Sequence, residues 1–312
     1  MISLIITDEY AALRLDQAVA KMCPQFSRSR LQDWIKSGCV LVDGVPARQR
    51  DITKSGQVVN INAVPEIHNE DWLAEDIPLH IIHEDEHIIV LDKPAGIVVH
   101  PGAGNPNATL VNALLFHCTE LQHIPRAGIV QRLDKDTSGI MIVAKSPAAH
   151  TQLVRDLQEH RVKREYRALV HGELTSGGTV DKAIGRHPSQ RTKMAVTEGG
   201  KPAITHYRLL GRYNGITELR VTLETGRTHQ IRVHLAYIKH PVIGDPVYSG
   251  RNRLPKNISP ALRDSLQGFR RQALHAEALT LQHPLTSATM HWQAPPPADY
   301  LELLQQIQSN TA

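Results

Sequence analysis

Thr217-Glu218-Leu219-Arg220-Val221-Thr222-Leu223 sets Leu219, Val221 and Leu223 against Glu218, Arg220 and Thr222 in strict alternation. Side chains of a strand point to opposite faces in turn, so this is the pattern of a half-buried β-strand. Working outward, Ile81-Ile82, Ile88-Ile89-Val90-Leu91, Gly139-Ile140-Met141-Ile142-Val143-Ala144 and Tyr166-Arg167-Ala168-Leu169-Val170 read as further strands. Helical spacing is confined to 110–116, 148–160, 228–238 and 299–308, with Pro295-Pro296-Pro297 as a stop before the last. The strands outnumber the helices and do not alternate with them. The expected class is therefore α+β, a mixed, mainly antiparallel sheet with flanking helices, and not a doubly wound parallel fold.

The stretch before residue 79 has a different texture. Leu15, Ala18, Val19 and Met22 recur at helical spacing, as do Leu31, Trp34 and Ile35, and Ser27 or Ser29 reads as an N-cap, Ser29 with Gln32 matching a capping box. The second helix should end near Ser37-Gly38. Cys39-Val40-Leu41-Val42, the turn signal Asp43-Gly44 and Val45 then predict a short hairpin, and Val58-Val59-Asn60-Ile61 another strand. An acidic, proline-bearing segment over 65–78 reads as a linker. A chain of 312 residues fits two domains: a small helical unit with its linker over 13–75, and a larger unit over 76–312.

The formal charge is only +4, but it is unevenly distributed. Residues 13–62 carry eight Lys/Arg and four Asp/Glu, 63–92 carry nine acids and no Lys or Arg, and 126–275 carry 26 Lys/Arg against twelve acids. Two basic blocks on either side of an acidic stretch point to a polyanion, since Lys/Arg contacts to phosphate supply most nucleic-acid affinity. With 41% hydrophobic residues the chain can build a real core. No apolar run approaches membrane-spanning length, and Met1-Ile2-Ser3-Leu4-Ile5-Ile6 lacks the basic start of a secretory signal. Cys23, Cys39 and Cys118 are too few and too widely spaced for a disulfide framework. A cytoplasmic protein, away from membranes, is the expectation.

Three strings invite a wrong reading. His83-Glu84-Asp85-Glu86-His87 satisfies the zinc-protease pattern, but that motif needs a helix to bring both imidazoles to one face, and here it joins two predicted strands. No metal site is expected. Asp136-Thr137-Ser138-Gly139 resembles an aspartic-protease string, yet that chemistry needs two carboxylates sharing a proton, and there is no second copy. Gly102-Ala103-Gly104 lacks the strand–turn–helix setting of a dinucleotide loop. The 18 histidines are scattered and read mostly as surface or core-satisfying residues.

Two other strings carry chemistry. In Arg132-Leu133-Asp134-Lys135-Asp136-Thr137-Ser138-Gly139 a carboxylate is flanked by fixed cations, which favours its ionised form. About 90 residues later, Thr225-Gly226-Arg227-Thr228-His229-Gln230-Ile231-Arg232-Val233-His234 is basic and dense in donors at a strand-to-helix junction. Alone, the first would read as an aspartate capping a turn. Together and in this order they resemble the pseudouridine synthases of the large Arg-Leu-Asp-motif family, and the resemblance takes in Asp92-Lys93-Pro94, His100-Pro101-Gly102-Ala103-Gly104-Asn105-Pro106, Lys163-Arg164-Glu165-Tyr166, Gly244-Asp245-Pro246-Val247-Tyr248 and Gln272-Ala273-Leu274-His275-Ala276. The segment from Arg14-Leu15-Asp16 through Ser27-Arg28-Ser29-Arg30 to Val42-Asp43-Gly44 is similar to the alpha-L RNA-binding module named after a small-subunit ribosomal protein. The arrangement most resembles the family's D type, which acts on large-subunit ribosomal RNA. One departure is Gln131, where the family usually has His.

The resemblance implies isomerisation of uridine to pseudouridine without a cofactor, with Asp134 as the catalytic aspartate. That residue either attacks the anomeric carbon or first removes a sugar proton. By the same carry-over, Arg232 pairs with Asp134, Tyr166 stacks on the target base, Ile231 packs beside that ring, and Arg132 contacts the RNA backbone or helps to open the helix. Arg227 and His229 are further RNA-binding candidates, and Arg14, Arg28, Arg30 and Lys36 are expected on a phosphate-facing surface of the first unit. The implied partner is ribosomal RNA, either free or in an assembling particle. A non-catalytic RNA-binding or ribosome-assembly factor is one competing reading, and it has no use for a lone aspartate in a basic cleft; an aspartic protease is the other, disfavoured by the missing second motif.

Overall fold

The computed structural model describes residues 2–23, 26, 28–62, 72–102, 104–190, 193–250, 254–255 and 258–310, without the side chains of 29 and 30. The first unit combines two helices with a sheet. Strand β1 (Ile2–Ile5) leads through α1 (Leu15–Met22) and α2 (Arg28–Lys36) to β2 (Val40–Val42), β3 (Val45–Pro46) and β4 (Val58–Ile61), in the order β1-β4-β2-β3. Leu15, Val19, Leu31, Trp34, Val40, Val59 and Ile61 close its core. Asp43 and Gly44 both have left-handed backbone (φ 52° and 80°), the twist a two-residue hairpin requires.

Its two helices, hairpin and further strand are those read from the sequence, and it departs from that reading in two ways. It begins before residue 13 with a strand that was not read, since β1 pairs with β4 from Ile2↔Ile61 to Ile5↔Val58. Helix α2 opens at Arg28, so Ser29 lies within the helix and does not cap it, and Ser27 falls outside the described residues. The first half of the expected linker, 65–71, also lies outside them. Residues 72–75, read as linker, are tied to the second unit: Asn112 Nδ2 donates to the Leu73 carbonyl (2.7 Å), and the Glu75 amide donates to the Asn112 carbonyl (3.0 Å).

The second unit runs β5 (Ile81–Glu84), β6 (Ile88–Lys93), α3 (Leu110–His117), β7 (Ser138–Ala144), α4 (Pro147–Gln158), β8 (Lys163–His171), β9 (Gly178–Asp181), β10 (Ile184–Arg186), β11 (Met194–Val196), β12 (Ile204–Tyr213), β13 (Ile216–Leu223), α5 (Gln230–Tyr237), α6 (Pro260–Gly268), β14 (Leu274–Gln282), β15 (Thr289–Gln293) and α7 (Ala298–Ser309). Its main sheet has the order β5-β6-β7-β14-β8-β13-β12-β9, with β15 on β14. Every pairing is antiparallel except β7 with β14. Strand β13 is the alternating segment read first, and it lies next to β8 with Val221 opposite Tyr166.

The central strands are buried on both faces. Ile89, Leu91, Met141 and Val143 point into a core closed by α3, α6 and α7, while Ile88, Val90, Ile140 and Ile142 point into a second core closed by Ala149 and Leu153 of α4. No helix among the described residues is long and apolar enough to cross a membrane.

One row of the sheet sets up the site. Gly139 of β7 lies opposite Ala276 of β14, which lies opposite Tyr166 of β8. Gly139 has φ +117°, and a Cβ there would fall 2.2 Å from the Ala276 carbonyl oxygen. Only glycine permits that approach.

Candidate active site

Asp134 sits in the loop that enters β7, and the loop is fixed from both sides. The Thr137 amide donates to the Asp134 carbonyl (3.0 Å), and Gln272 Nε2 donates to Thr137 Oγ1 (3.0 Å). Lys93, at the end of β6, is wholly buried, and its Nζ donates to the carbonyls of Pro94, Ile97 and Lys135 at 2.8, 3.0 and 3.0 Å. Burial pushes the Lys93 ammonium down to about 8, against the pull of Asp136 and Asp134.

The turn from β13 into α5 brings the second string to this carboxylate. Gln230 organises the turn. Its Oε1 accepts from Thr225 Oγ1 (2.7 Å) and the Arg227 amide (3.0 Å), and its Nε2 donates to the Ile204 carbonyl (2.9 Å) and Thr205 Oγ1 (3.0 Å). Arg232, buried on α5, donates from Nη1 to Asp134 Oδ2 (2.8 Å), from Nε to Asp245 Oδ2 (2.7 Å) and from Nη2 to Asp245 Oδ1 (2.9 Å). Asp245 is itself buried and accepts from the amides of Val247 and Tyr248 at 2.8 and 3.0 Å. Burial alone would lower the Arg232 guanidinium, but Asp245 and then Asp134 hold it above its ordinary value, so it stays charged. Its Cζ lies 5.1 Å from the centre of the Tyr248 ring.

His229 reaches the same carboxylate from the start of α5, with left-handed backbone (φ 56°). Its Nε2 is 3.9 Å from Asp134 Oδ1, and its Nδ1 shares a hydrogen bond of 2.8 Å with the Tyr248 hydroxyl. Burial, with Arg232 and Arg132 nearby, lowers the imidazole against the pull of Asp134. Asp134 thus has Oδ2 engaged by Arg232 and Oδ1 3.9 Å from His229, and the residue lines the adjoining cleft.

That cleft encloses about 970 Å³ and is lined by Leu133, Asp134, Tyr166, Ile231, Arg232 and the basic residues Arg126, Arg132, Arg164, Arg186, Lys201 and Arg227. Among its lining residues Asp134 is the lone carboxylate. A water-filled groove walled by one sign of charge concentrates a polyanion. Tyr166 and Ile231 are both buried in the larger apolar core, and burial raises the Tyr166 phenol. Arg132 is exposed and donates from Nη2 to Thr228 Oγ1 (2.7 Å), tying the two strings together. Arg227 donates from Nε to the Pro202 carbonyl (3.0 Å), and Gln131 lies on the same wall.

Arg14, Arg28 and Lys36 of the first unit are not among the residues that line this cleft. Arg14 and Arg28 both pair with the buried Asp16 carboxylate (3.0 and 2.9 Å), which Gln32 Nε2 also contacts (2.8 Å). Burial raises the Asp16 carboxyl, but these partners outweigh it and leave it below its ordinary value. Lys36 is exposed, 3.6 Å from Asp33, and the Arg30 side chain lies outside the described residues.

Comparison with known proteins gives the family. A family model described as RNA pseudouridylate synthase matches residues 87–237, and one described as S4 domain matches 13–59. Ribosomal large subunit pseudouridine synthase D of Pseudomonas aeruginosa is 54% identical over 302 residues, 97% of this chain and 94% of the relative. The chain belongs to the RNA pseudouridylate synthase family. The Escherichia coli K12 protein of the same name is 50% identical over 98% of this synthase and 94% of its own length. The solved structure of human RNA Pseudouridylate Synthase Domain Containing 4 covers 73% of the synthase and 93% of that chain, with a TM-score of 0.58 and 26% identity.

Sequence reasoning quoted Lys93, Asp245 and Tyr248 within the resemblance but gave them no role at the site. Of the three strings that invite a wrong reading, Asp136-Thr137-Ser138-Gly139 belongs to the Asp134 loop and the start of β7, while His83–His87 falls elsewhere in the synthase. Asp85 lies in the turn between β5 and β6. Its Oδ1 accepts from the amides of His87 (2.7 Å) and Ile88 (2.9 Å), and its Oδ2 lies 3.1 and 3.2 Å from the Nε2 atoms of His83 and His283. Among the described residues no group of three or more His, Cys, Asp or Glu is placed to hold a metal ion. Buried His234 and His275 hydrogen-bond within the core, His234 to the Lys182 carbonyl (2.9 Å) and His275 to the Ala294 carbonyl (3.0 Å).

Proposed function

We propose that this synthase isomerises specific uridines of large-subunit ribosomal RNA to pseudouridine in the cytoplasm, with Asp134 acting on the ribose, Arg232 aiming it and Tyr166 stacking under the base. The observation that carries this reading is the lone cleft carboxylate, held through Oδ2 by a buried guanidinium. The substrate class follows from the names of the full-length relatives in Pseudomonas aeruginosa and Escherichia coli. The S4 domain serves as an RNA-holding unit and the rest of the chain as the catalytic one, with exposed Lys36 and the outward edges of Arg14 and Arg28 available to phosphate.

The reaction breaks the bond between N1 of uracil and C1′ of ribose, turns the base and joins C5 to C1′. The C5 proton leaves and N1 gains one, so composition is unchanged. A hydrolytic glycosidase needs two carboxyl groups, one to protonate the leaving group and one to activate water. One carboxylate suits an isomerisation whose leaving group must be recaptured. The uridine must first leave its stack, at a cost of a few kcal/mol that Tyr166 and the closed pocket recover. Purified protein incubated with large-subunit ribosomal RNA tritiated at uracil C5 should release tritium to water in step with pseudouridine at discrete positions. RNA bound without tritium release would leave a binding protein in its place.

A further inference from the structure

Just before the Asp134 loop the backbone runs left-handed through three consecutive residues: Arg126 (φ 55°, ψ 35°), Ala127 (φ 51°, ψ 40°) and Gly128 (φ 77°). For a residue with a Cβ this conformation is sterically costly, and neither Arg nor Ala has the short polar side chain that eases it in Asn and Asp. The fold explains why the path exists. Gly128 passes so close to β7 that a Cβ would lie 2.0 Å from the Ala144 carbonyl oxygen. Ala127 is buried, Ile129 pairs with Val143, and the Ala127 and Ile129 amides donate to the carbonyls of Ile124 (3.0 Å) and Arg126 (3.1 Å).

Packing does not explain why the first position is arginine. The Arg126 side chain is exposed, and among the described residues it has no ion pair or hydrogen bond. It stands on the cleft wall with Arg132, and both guanidiniums lie near His100, which burial and then these charges push down to about 4. His100 is therefore neutral at physiological pH, and the wall's single carboxylate already pairs with Arg232. Glycine would take the same backbone with less strain, so strain kept at an exposed, unneutralised arginine beside a site points to a use for the guanidinium.

We propose that Arg126 grips a backbone phosphate of the RNA strand next to the flipped uridine, the left-handed turn holding its guanidinium on the cleft wall. This rests on the reading of the cleft as an RNA site. It gives the strand a second cation six residues before Arg132, and a contact that positions the RNA without reading its sequence.

The test uses full-length parent, Arg126→Lys, Arg126→Ala and Arg126→Gly, each titrated with transcribed large-subunit ribosomal RNA between 50 and 200 mM salt and melted in parallel. Loss of one phosphate contact lowers the slope of log K against log salt by about 0.7 to 0.9. The Ala and Gly variants should show that drop and need more RNA for half-maximal tritium release, while Lys keeps the parent slope. The Gly variant should melt no lower than the parent, since it sheds the strain with the charge. If glycine unfolds the turn, Arg126→Ala beside Arg126→Lys makes the same comparison. A parent that binds and turns over RNA beside Gly and Ala variants of unchanged slope overturns this inference alone. A parent that does neither overturns the functional reading and the inference with it.

Discussion

Arg232 is aimed by Asp245 more than by the residue it serves, and Asp245→Asn isolates that relation. Two of the three charge-assisted hydrogen bonds of Arg232 go to Asp245, at 2.7 and 2.9 Å, and both side chains are buried. In the variant an amide that can donate replaces one carboxylate oxygen, leaving the buried guanidinium with Asp134 as its sole anionic partner. Breaking one side of a buried pair costs about 3–5 kcal/mol. The amide retains some acceptor capacity toward Val247 and Tyr248, so the low end, about 3 kcal/mol, is expected in guanidinium unfolding followed by tryptophan fluorescence. An error of about 1 Å in aim costs on the order of 10²-fold in rate, and tritium release should fall by about that factor. A double-mutant cycle with Arg232→Met separates aim from general damage: once the cation is gone, Asp245→Asn should cost less, a coupling of about 2 kcal/mol. Additive losses, or a single variant as stable and active as the parent, would refute the claim that Asp245 positions Arg232.

Lys93 lies at about 8 in the folded chain against 10.5 when solvated, so between those values the unfolded chain binds more protons and stability rises with pH. The parent should therefore gain about 3 kcal/mol relative to Lys93→Met between pH 7.5 and 10.5, and parallel profiles from denaturant midpoints would count against the buried ammonium. Asp85 is held at about 2, so its contribution is present above pH 3.8 and lost as pH falls through about 2; allowing for its partial exposure, the parent should lose about 1–2 kcal/mol more than Asp85→Asn between pH 4 and 2, seen in acid unfolding by circular dichroism. Gly139→Ala must move Ala276 or unpair β7 from β14, and should cost more than about 3 kcal/mol or abolish folding, whereas a thermal midpoint within a few degrees of the parent's would contradict the close approach.

The alternation of β13 and the buried runs of β6 and β7 were legible because burial on one face or both leaves a plain pattern. Strand β12 was not. A bulge between Leu209 and Gly211 breaks its register, and most of its side chains are only partly covered. Strand β14 hid for another reason: Leu274-His275-Ala276-Glu277-Ala278-Leu279 is rich in helix formers, and pairing with β7 and β8 overrides that propensity. At the site, the resemblance gave Asp134, Tyr166 and Arg232 their roles but gave none to Lys93 and Asp245 in the same set of strings, because before a proline and after a glycine they look like surface and turn residues. Their roles come from carbonyls and a guanidinium that only the folded chain brings near. For Arg14 and Arg28, helical spacing does not reveal that Asp16 pairs with both.

The most direct test replaces the Asp134 carboxylate with its amide. Asp134→Asn, assayed on C5-tritiated large-subunit ribosomal RNA, should bind within a few-fold of the parent and release no tritium above background. Turnover at anything near the parent rate would move the chemistry to another group and contradict the account.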